Sequence, residues 1–206
     1  MKQEERRLQT TRLLLETTEA LIREKGCHAV RIQDIMERSG LSKGAIFHYV
    51  KNKDELFLRL LQERLEETNR RFMEAVGQSR DFAGPMGKIA ESLRAYDRRE
   101  DVTNKAMIYL LGKADDPAVA DALRSYYERS VRLSGTWIET GQRHGVIPAS
   151  VDAGRTAELF VLMTLGLRVR SLIPGAPATL AAEDAAAFMA EILQSAPAVQ
   201  EQREKP

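Results

Sequence analysis

A chain of 206 residues, 43% hydrophobic and 30% charged, can bury a sizeable core and has the composition of a folded protein, which excludes disorder as its overall state. The formal net charge of +1 hides a shallow asymmetry, 12 Lys+Arg against 9 Asp+Glu in residues 1–60 and 19 against 21 beyond, too small to identify a nucleic-acid partner by itself. Cys27 is the only cysteine, which excludes an intramolecular disulfide and suits a reducing cytoplasm.

Strand signals are almost absent and apolar residues recur every three or four positions, so the expected fold is all-α. The opening MKQEERR carries charges where a secretion signal needs an apolar core. A first helix is expected over residues 5–25, with Leu14, Thr18, Leu21, Ile22 and the stem of Lys25 on one stripe and Gly26 as a left-handed stop. A second helix buries Val30, Ile32, Ile35 and Met36 and ends at Gly40. Leu41 then points inward, Ser42 can cap a short third helix, and Ala45 and Ile46 pack back on the second.

A fourth helix, residues 54–76 and so roughly 35 Å long, turns Leu56, Leu60, Leu61, Leu65, Phe72, Met73 and Val76 inward. Residues 77–85 break the pattern, which returns over 86–99, 102–111, 117–144, 153–172 and 180–193. Pro117 suits a first helical turn behind Asp115 and Asp116. The longest apolar run, residues 159–167, is half the roughly 18 residues of a membrane span and reads as a helix buried on most sides. Residues 196–206 read as a disordered tail.

The stretch RIQDIMERSGLSKGAIFHYVKNK, residues 31–53, has the parts of a helix-turn-helix: a bracing helix, a turn made by Gly40, and a second helix whose first half faces base edges. Ser42, Lys43 and Gly44 supply a hydroxyl, a cation and an absent side chain beside a helix N-terminus, a combination that lets backbone approach phosphate. Phe47, His48 and Tyr49 follow on the next turn, and Lys51 and Lys53 stand where the long helix begins. Ser42 also reads simply as a helix cap, Phe47 as a core residue, and Lys53 as a cap for the end of the third helix.

GLSKGAIFHYVKNKDELF resembles the signature of the TetR family of bacterial transcription regulators, and the likeness extends back to about Thr11. GQRHGVI, residues 141–147, and the apolar helix after it resemble the loop and dimer helix common in that family. The resemblance implies that Ser42, Lys43 and Gly44 approach bases and backbone, that Phe47, His48 and Tyr49 lie against the groove wall, and that Arg31 and Lys53, with Lys51 nearby, hold phosphates. Phe47 stands where tyrosine is commoner in the family, and Arg31 precedes a helix often capped there by Thr or Ser.

The family likeness further implies residues 1–53 as the DNA-binding domain and 54–195 as a helical effector-binding and dimerisation domain. Leu159, Leu165, Leu172, Phe188, Met189 and Ile192 are the expected dimer face, with the monomer core as their plainer role. Met86, Leu93, Tyr96, Met107, Tyr109, Tyr126, Trp137 and Met163 are the expected lining of an effector pocket, each also suited to ordinary core. Arg168 and Arg170, on an otherwise apolar helix, read first as interface salt bridges and second as partners for an acidic ligand.

Cys27, His28, His48 and His144 lack metal-ligand spacing, and no phosphate loop, nucleophile elbow or paired-cysteine motif is visible, so neither metal, cofactor nor enzyme activity is expected. The expectation is a dimeric repressor on a palindromic double-stranded operator, answering to a small molecule and independent of membranes. The alternative is a DNA-binding architectural or adaptor protein with a protein partner, which would lack a sizeable closed cavity.

Overall fold

The computed structural model describes residues 3–78 and 81–195, so the expected tail over 196–206 lies outside the described residues. Within them run α1 (Gln3–Ala29), α2 (Ile32–Ser39), α3 (Lys43–Tyr49), α4 (Lys53–Gln78), α5 (Ala83–Tyr96), α6 (Val102–Leu111), α7 (Pro117–Arg143), α8 (Ala153–Leu172) and α9 (Ala182–Gln194), with no strand among the described residues. This is the all-α fold expected. The ends shift by a few residues: α5 begins at Ala83 rather than Met86, because Asp81 accepts from the Gly84 amide at 2.7 Å and so starts the helix early.

Gly26 breaks α1 as expected, with φ 76° and ψ 160°, but a further turn carries the chain to Ala29. Before that break Leu14, Leu15, Thr17, Thr18, Leu21 and Ile22 are buried, and the Thr18 hydroxyl is satisfied by donating to the Leu14 carbonyl at 2.7 Å. The stripe packs on Ile35, Ile46, Val50, Leu56, Phe57 and Leu61, and the same apolar cluster continues through Val102, Ala106, Met107 and Leu110 of α6 to Val119 and Tyr126 of α7. Helices α1 to α3 therefore share their core with α6. Two smaller clusters lie beyond, one where α5, α8 and α9 meet around Leu93, Leu167 and Met189, the other around Ile138, Ile147, Ala157 and Leu193.

Helix α4 buries Leu56, Leu60, Leu61, Leu65 and Phe72 as expected, but Met73 is 42% exposed. The inward line runs through Leu61, Leu65, Thr68, Phe72 and Ala75, and a residue one step after Phe72 is carried about 100° away from it.

Candidate nucleic-acid interface and internal cavity

Arg31 sits in extended backbone (φ −123°, ψ 157°) ahead of α2, and its own side chain makes no capping bond. Instead its amide donates to Asp34 Oδ2 at 2.7 Å, so one arm of a capping box does what a hydroxyl cap would do from the other side. Lys25 Nζ also reaches Asp34 Oδ2 at 2.6 Å, and this hydrogen bond, followed by that from the Arg31 amide, holds the Asp34 carboxyl below its ordinary range. A fork from Arg38 to Glu24, at 2.7 and 2.8 Å, braces α2 against α1.

The turn rests on Gly40, whose φ of 71° is left-handed and whose amide donates to the Met36 carbonyl at 2.9 Å. Ser42 then caps α3, its hydroxyl accepting from the Ala45 amide at 3.2 Å. Only Ile46 is buried within the seven residues of α3, and Val50 is buried just after it. Two apolar anchors and a cap thus hold the helix. Its outer side presents Ser42, Lys43, Gly44, Phe47 and His48 together, all exposed.

Lys43 Nζ lies 5.8 Å from the Phe47 ring centroid, and Phe47 is 41% exposed rather than core. His48 stands edge-on to Tyr49 at 5.3 Å, and Tyr49 is half-buried against the core with its carbonyl accepting from Arg59 at 2.6 Å. Arg31 and Lys51 are exposed at the two flanks.

Lys53, expected at a phosphate, points in this structure to the end of α1. Its ammonium donates to the carbonyls of Cys27 at 3.1 Å, His28 at 3.3 Å and Val30 at 2.9 Å, and so closes the end of α1 rather than standing free beside α3. Asp54 is buried next to it, accepting from the Tyr109 hydroxyl at 3.1 Å and from Lys113, which ties the start of α4 to the end of α6. The Tyr109 ring meets His28 edge-on at 4.9 Å and Phe57 at 5.2 Å. No sequence signal marked this junction, because its members are scattered over some eighty-five positions.

Among the described residues, no group of three or more His, Cys, Asp or Glu is placed to hold a metal ion, and no helix is long and apolar enough to cross a membrane.

Beyond the three N-terminal helices a cavity of about 130 Å³ is walled by α4, α5, α7, α8 and α9. Met86, Leu93, Tyr96, Tyr126 and Trp137 line it as expected; Met107, Tyr109 and Met163 do not. Met107 and Tyr109 belong to the core under α1, on α6, and Met163 packs beside Leu167. Phe72, Phe82 and Phe160 are lining residues that sequence reasoning missed, and Arg168, read there first as an interface salt bridge and second as a partner for an acidic ligand, also lines it. The hydroxyls of Thr68, Ser130, Thr140 and Thr164 each donate to the carbonyl four residues back on their own helix, which leaves the walls apolar. Trp137 Nε1 donates to Asn69 Oδ1 at 2.8 Å and its ring stacks on Phe72 at 5.0 Å.

The six residues expected at a dimer face are placed differently from one another in the single chain. Leu165 and Met189 face the cavity, and Leu172 and Ile192 are half-buried. The apolar residues left open on α8 are Leu159, Leu162 and Val169, continued by Ile173, with Phe188 open on α9.

Residues 14–60 match the family described as bacterial regulatory proteins, tetR family. The uncharacterized HTH-type transcriptional regulator YfiR of Bacillus subtilis (strain 168) is 23% identical over 188 residues, covering 88% of this chain and 91% of its own. Salmonella enterica GusR has a similar fold, with a TM-score of 0.65 at 22% identity over 90% of this chain and 96% of its own. So has a transcriptional regulator from Saccharomonospora viridis solved in complex with choline, with a TM-score of 0.63 at 21% identity over 88% and 93% of the two chains.

Proposed function

We propose, since the chain belongs to the tetR family of bacterial regulatory proteins and is a DNA-binding transcriptional regulator, that it is a dimeric cytoplasmic repressor whose hold on a palindromic operator is altered by a small molecule in the internal cavity. In this reading residues 1–53 read DNA and 54–195 sense and dimerise. Ser42, Lys43 and Gly44 meet bases and backbone, Phe47, His48 and Tyr49 lie against the groove wall, and Arg31 and Lys51 reach phosphates. Choline in the S. viridis structure is a small molecule held by a protein of similar fold, and it supports a ligand-holding role here without indicating which ligand.

The observation that carries the reading is the double use of α4. Its first turn is locked to α1 by Lys53 and to α6 by Asp54, while Leu65, Thr68, Phe72 and Val76 further along form a wall of the cavity. A ligand that pushes this wall changes the angle at which α4 meets the reading module, and with it the spacing of two recognition helices in a dimer. Complete switching requires the ligand to prefer one arrangement by about 10⁴-fold, roughly 5.5 kcal/mol. An architectural or adaptor protein has no need of such a cavity.

The test is selection of binding sites from genomic DNA by the purified protein, followed by footprinting. A palindrome with half-sites spaced by one helical turn or a multiple is expected. Enrichment of single, unpaired half-sites would remove the dimeric reading, and no sequence enrichment would remove operator recognition.

A further inference from the structure

Among the described residues Arg168 is the largest fully buried side chain, 2% exposed, and it lines the cavity. A guanidinium taken out of water costs several kcal/mol unless a counter-charge accompanies it. Among the described residues it has no salt bridge. Its Nη1 donates to the Thr103 hydroxyl at 3.3 Å, and its carbon lies 3.6 Å from the centroid of the Tyr96 ring. The carboxylate whose field reaches it, Asp101, is already committed: it accepts from the amides of Thr103 and Asn104 and from the Thr103 hydroxyl, and faces Arg64 at 3.7 Å.

The rest of this end of the cavity has the same polarity. Tyr126, buried beside the guanidinium, has its phenol pushed above the ordinary range by burial, so it stays a neutral O–H donor. The one carboxylate among the described lining residues, Asp81, is exposed and stands ahead of α5, fifteen residues before Tyr96 at the end of that helix. The apolar part of the lining includes Leu65, Phe72, Ile89, Trp137, Phe160 and Leu165. A cation and phenol donors thus close one end of an apolar chamber.

We propose that the effector is an amphiphilic organic anion, an apolar body carrying a carboxylate-class head, with the head paired to Arg168 beside Tyr96 and Tyr126 and the body lying against Phe72, Trp137 and Phe160. This rests on the reading of the cavity as the effector site. The head lies against a side chain that also holds Thr103, the second residue of α6, and the far end of α6 carries Tyr109 against Asp54 and His28. Pairing of Arg168 with a ligand therefore competes with its grip on the helix that braces the reading module. A cationic or neutral body of the same size has no such handle.

Trp137 is the only tryptophan and borders the chamber, so its emission reports occupancy directly. The experiment titrates the full chain with octanoate and 4-phenylbutyrate, with their primary amides, and with octyltrimethylammonium, following Trp137 fluorescence and heat of binding. At least one acid is expected to bind about tenfold or more tighter than its amide, the difference made by one desolvated charge-assisted pair. In Arg168→Met that preference disappears while the amide still binds; Arg168→Lys retains part of it. Circular dichroism of each variant checks that the fold is kept, and the comparison of acid with amide on the unaltered chain stands without any variant. Amides or the ammonium binding as tightly as the acids overturn the head-group assignment and leave the cavity as an effector site. Binding by none of the series overturns both.

Discussion

Lys53 shows how much a single side chain can change in meaning between a spacing and a place. Its ammonium spends its donors on three carbonyls at the end of α1, groups that a helix terminus otherwise leaves to water. Lys53→Met is therefore expected to destabilise the fold by about 1.5–3 kcal/mol, the range for hydrogen bonds to a charged group, seen as an earlier urea midpoint with unchanged slope. Among molecules still folded, the salt dependence of DNA binding should stay as it was. Lys43→Ala and Lys51→Ala should do the opposite, leaving the midpoint in place and flattening the salt slope by about one unit for each phosphate lost. A flattened slope in Lys53→Met would return that residue to the DNA. Cys27 is governed by burial in the same neighbourhood, which pushes its thiol up to about 11. At pH 8 iodoacetamide should label the native chain about a hundredfold or more slowly than the urea-unfolded one, whose thiol is ordinary; comparable rates would mean that α1 and α4 open readily at this point.

At the scale of one element, α3 separates two uses of glycine. Gly40 stands at φ 71° with open space around its Cα, so its requirement is conformational and an added Cβ costs about 1–2 kcal/mol. Gly44 has ordinary helical backbone and equally open space. Gly44→Ala should therefore stabilise α3 by about 0.5–1 kcal/mol and yet weaken operator binding, if the missing side chain is there for DNA. Measured thermal midpoints and gel-shift affinities moving in opposite directions would support that role, and affinity unchanged by Gly44→Ala would leave the residue without one. Turn, cap and exposed face were legible in the sequence because each depends on residue type at short separation: Gly40, Ser42 and Ile46 act within seven positions. The use of Lys53 was not, since its acceptors lie 23 to 26 residues earlier and only the fold brings them near. Helix α8 defeated the reading for another reason. Apolar on nearly every side from Leu159 to Leu172, it offers no polar phase by which to say that Leu162 points out and Leu165 in. Arg168 was noticed as an anomaly there, but its burial against Tyr96 follows from α5 crossing α8, which no local pattern encodes.

For the whole molecule the question becomes what covers the apolar positions that a single chain leaves open. Leu159, Leu162, Val169 and Ile173 fall at separations of three, seven and four, and Gly166 fills the gap between Leu162 and Val169, giving a continuous three-four seam along α8. Leu162 and Ile173 are each 53% exposed, and Phe188 on α9 is 51% exposed. Large residues repeated at that spacing on one face mark a surface that packs against another helix rather than water. Reading by one short helix covers only about 600 to 1,000 Å² of protein surface, so in the proposed dimer the second copy would supply affinity that one module lacks. Leu162→Glu combined with Val169→Glu puts two charges into the seam without touching the cavity wall. The doubly altered chain is expected to run as a monomer at micromolar concentration in size-exclusion chromatography with light scattering, to keep its helical circular dichroism, and to lose operator affinity. Leu165→Glu is the contrast, because that side chain enters the cavity and the core beside it. A buried carboxylate there costs stability first, so this variant should unfold earlier instead of dissociating cleanly. A Leu162→Glu, Val169→Glu chain that remains a dimer would place the interface elsewhere on the molecule and leave the α8 seam in need of another partner.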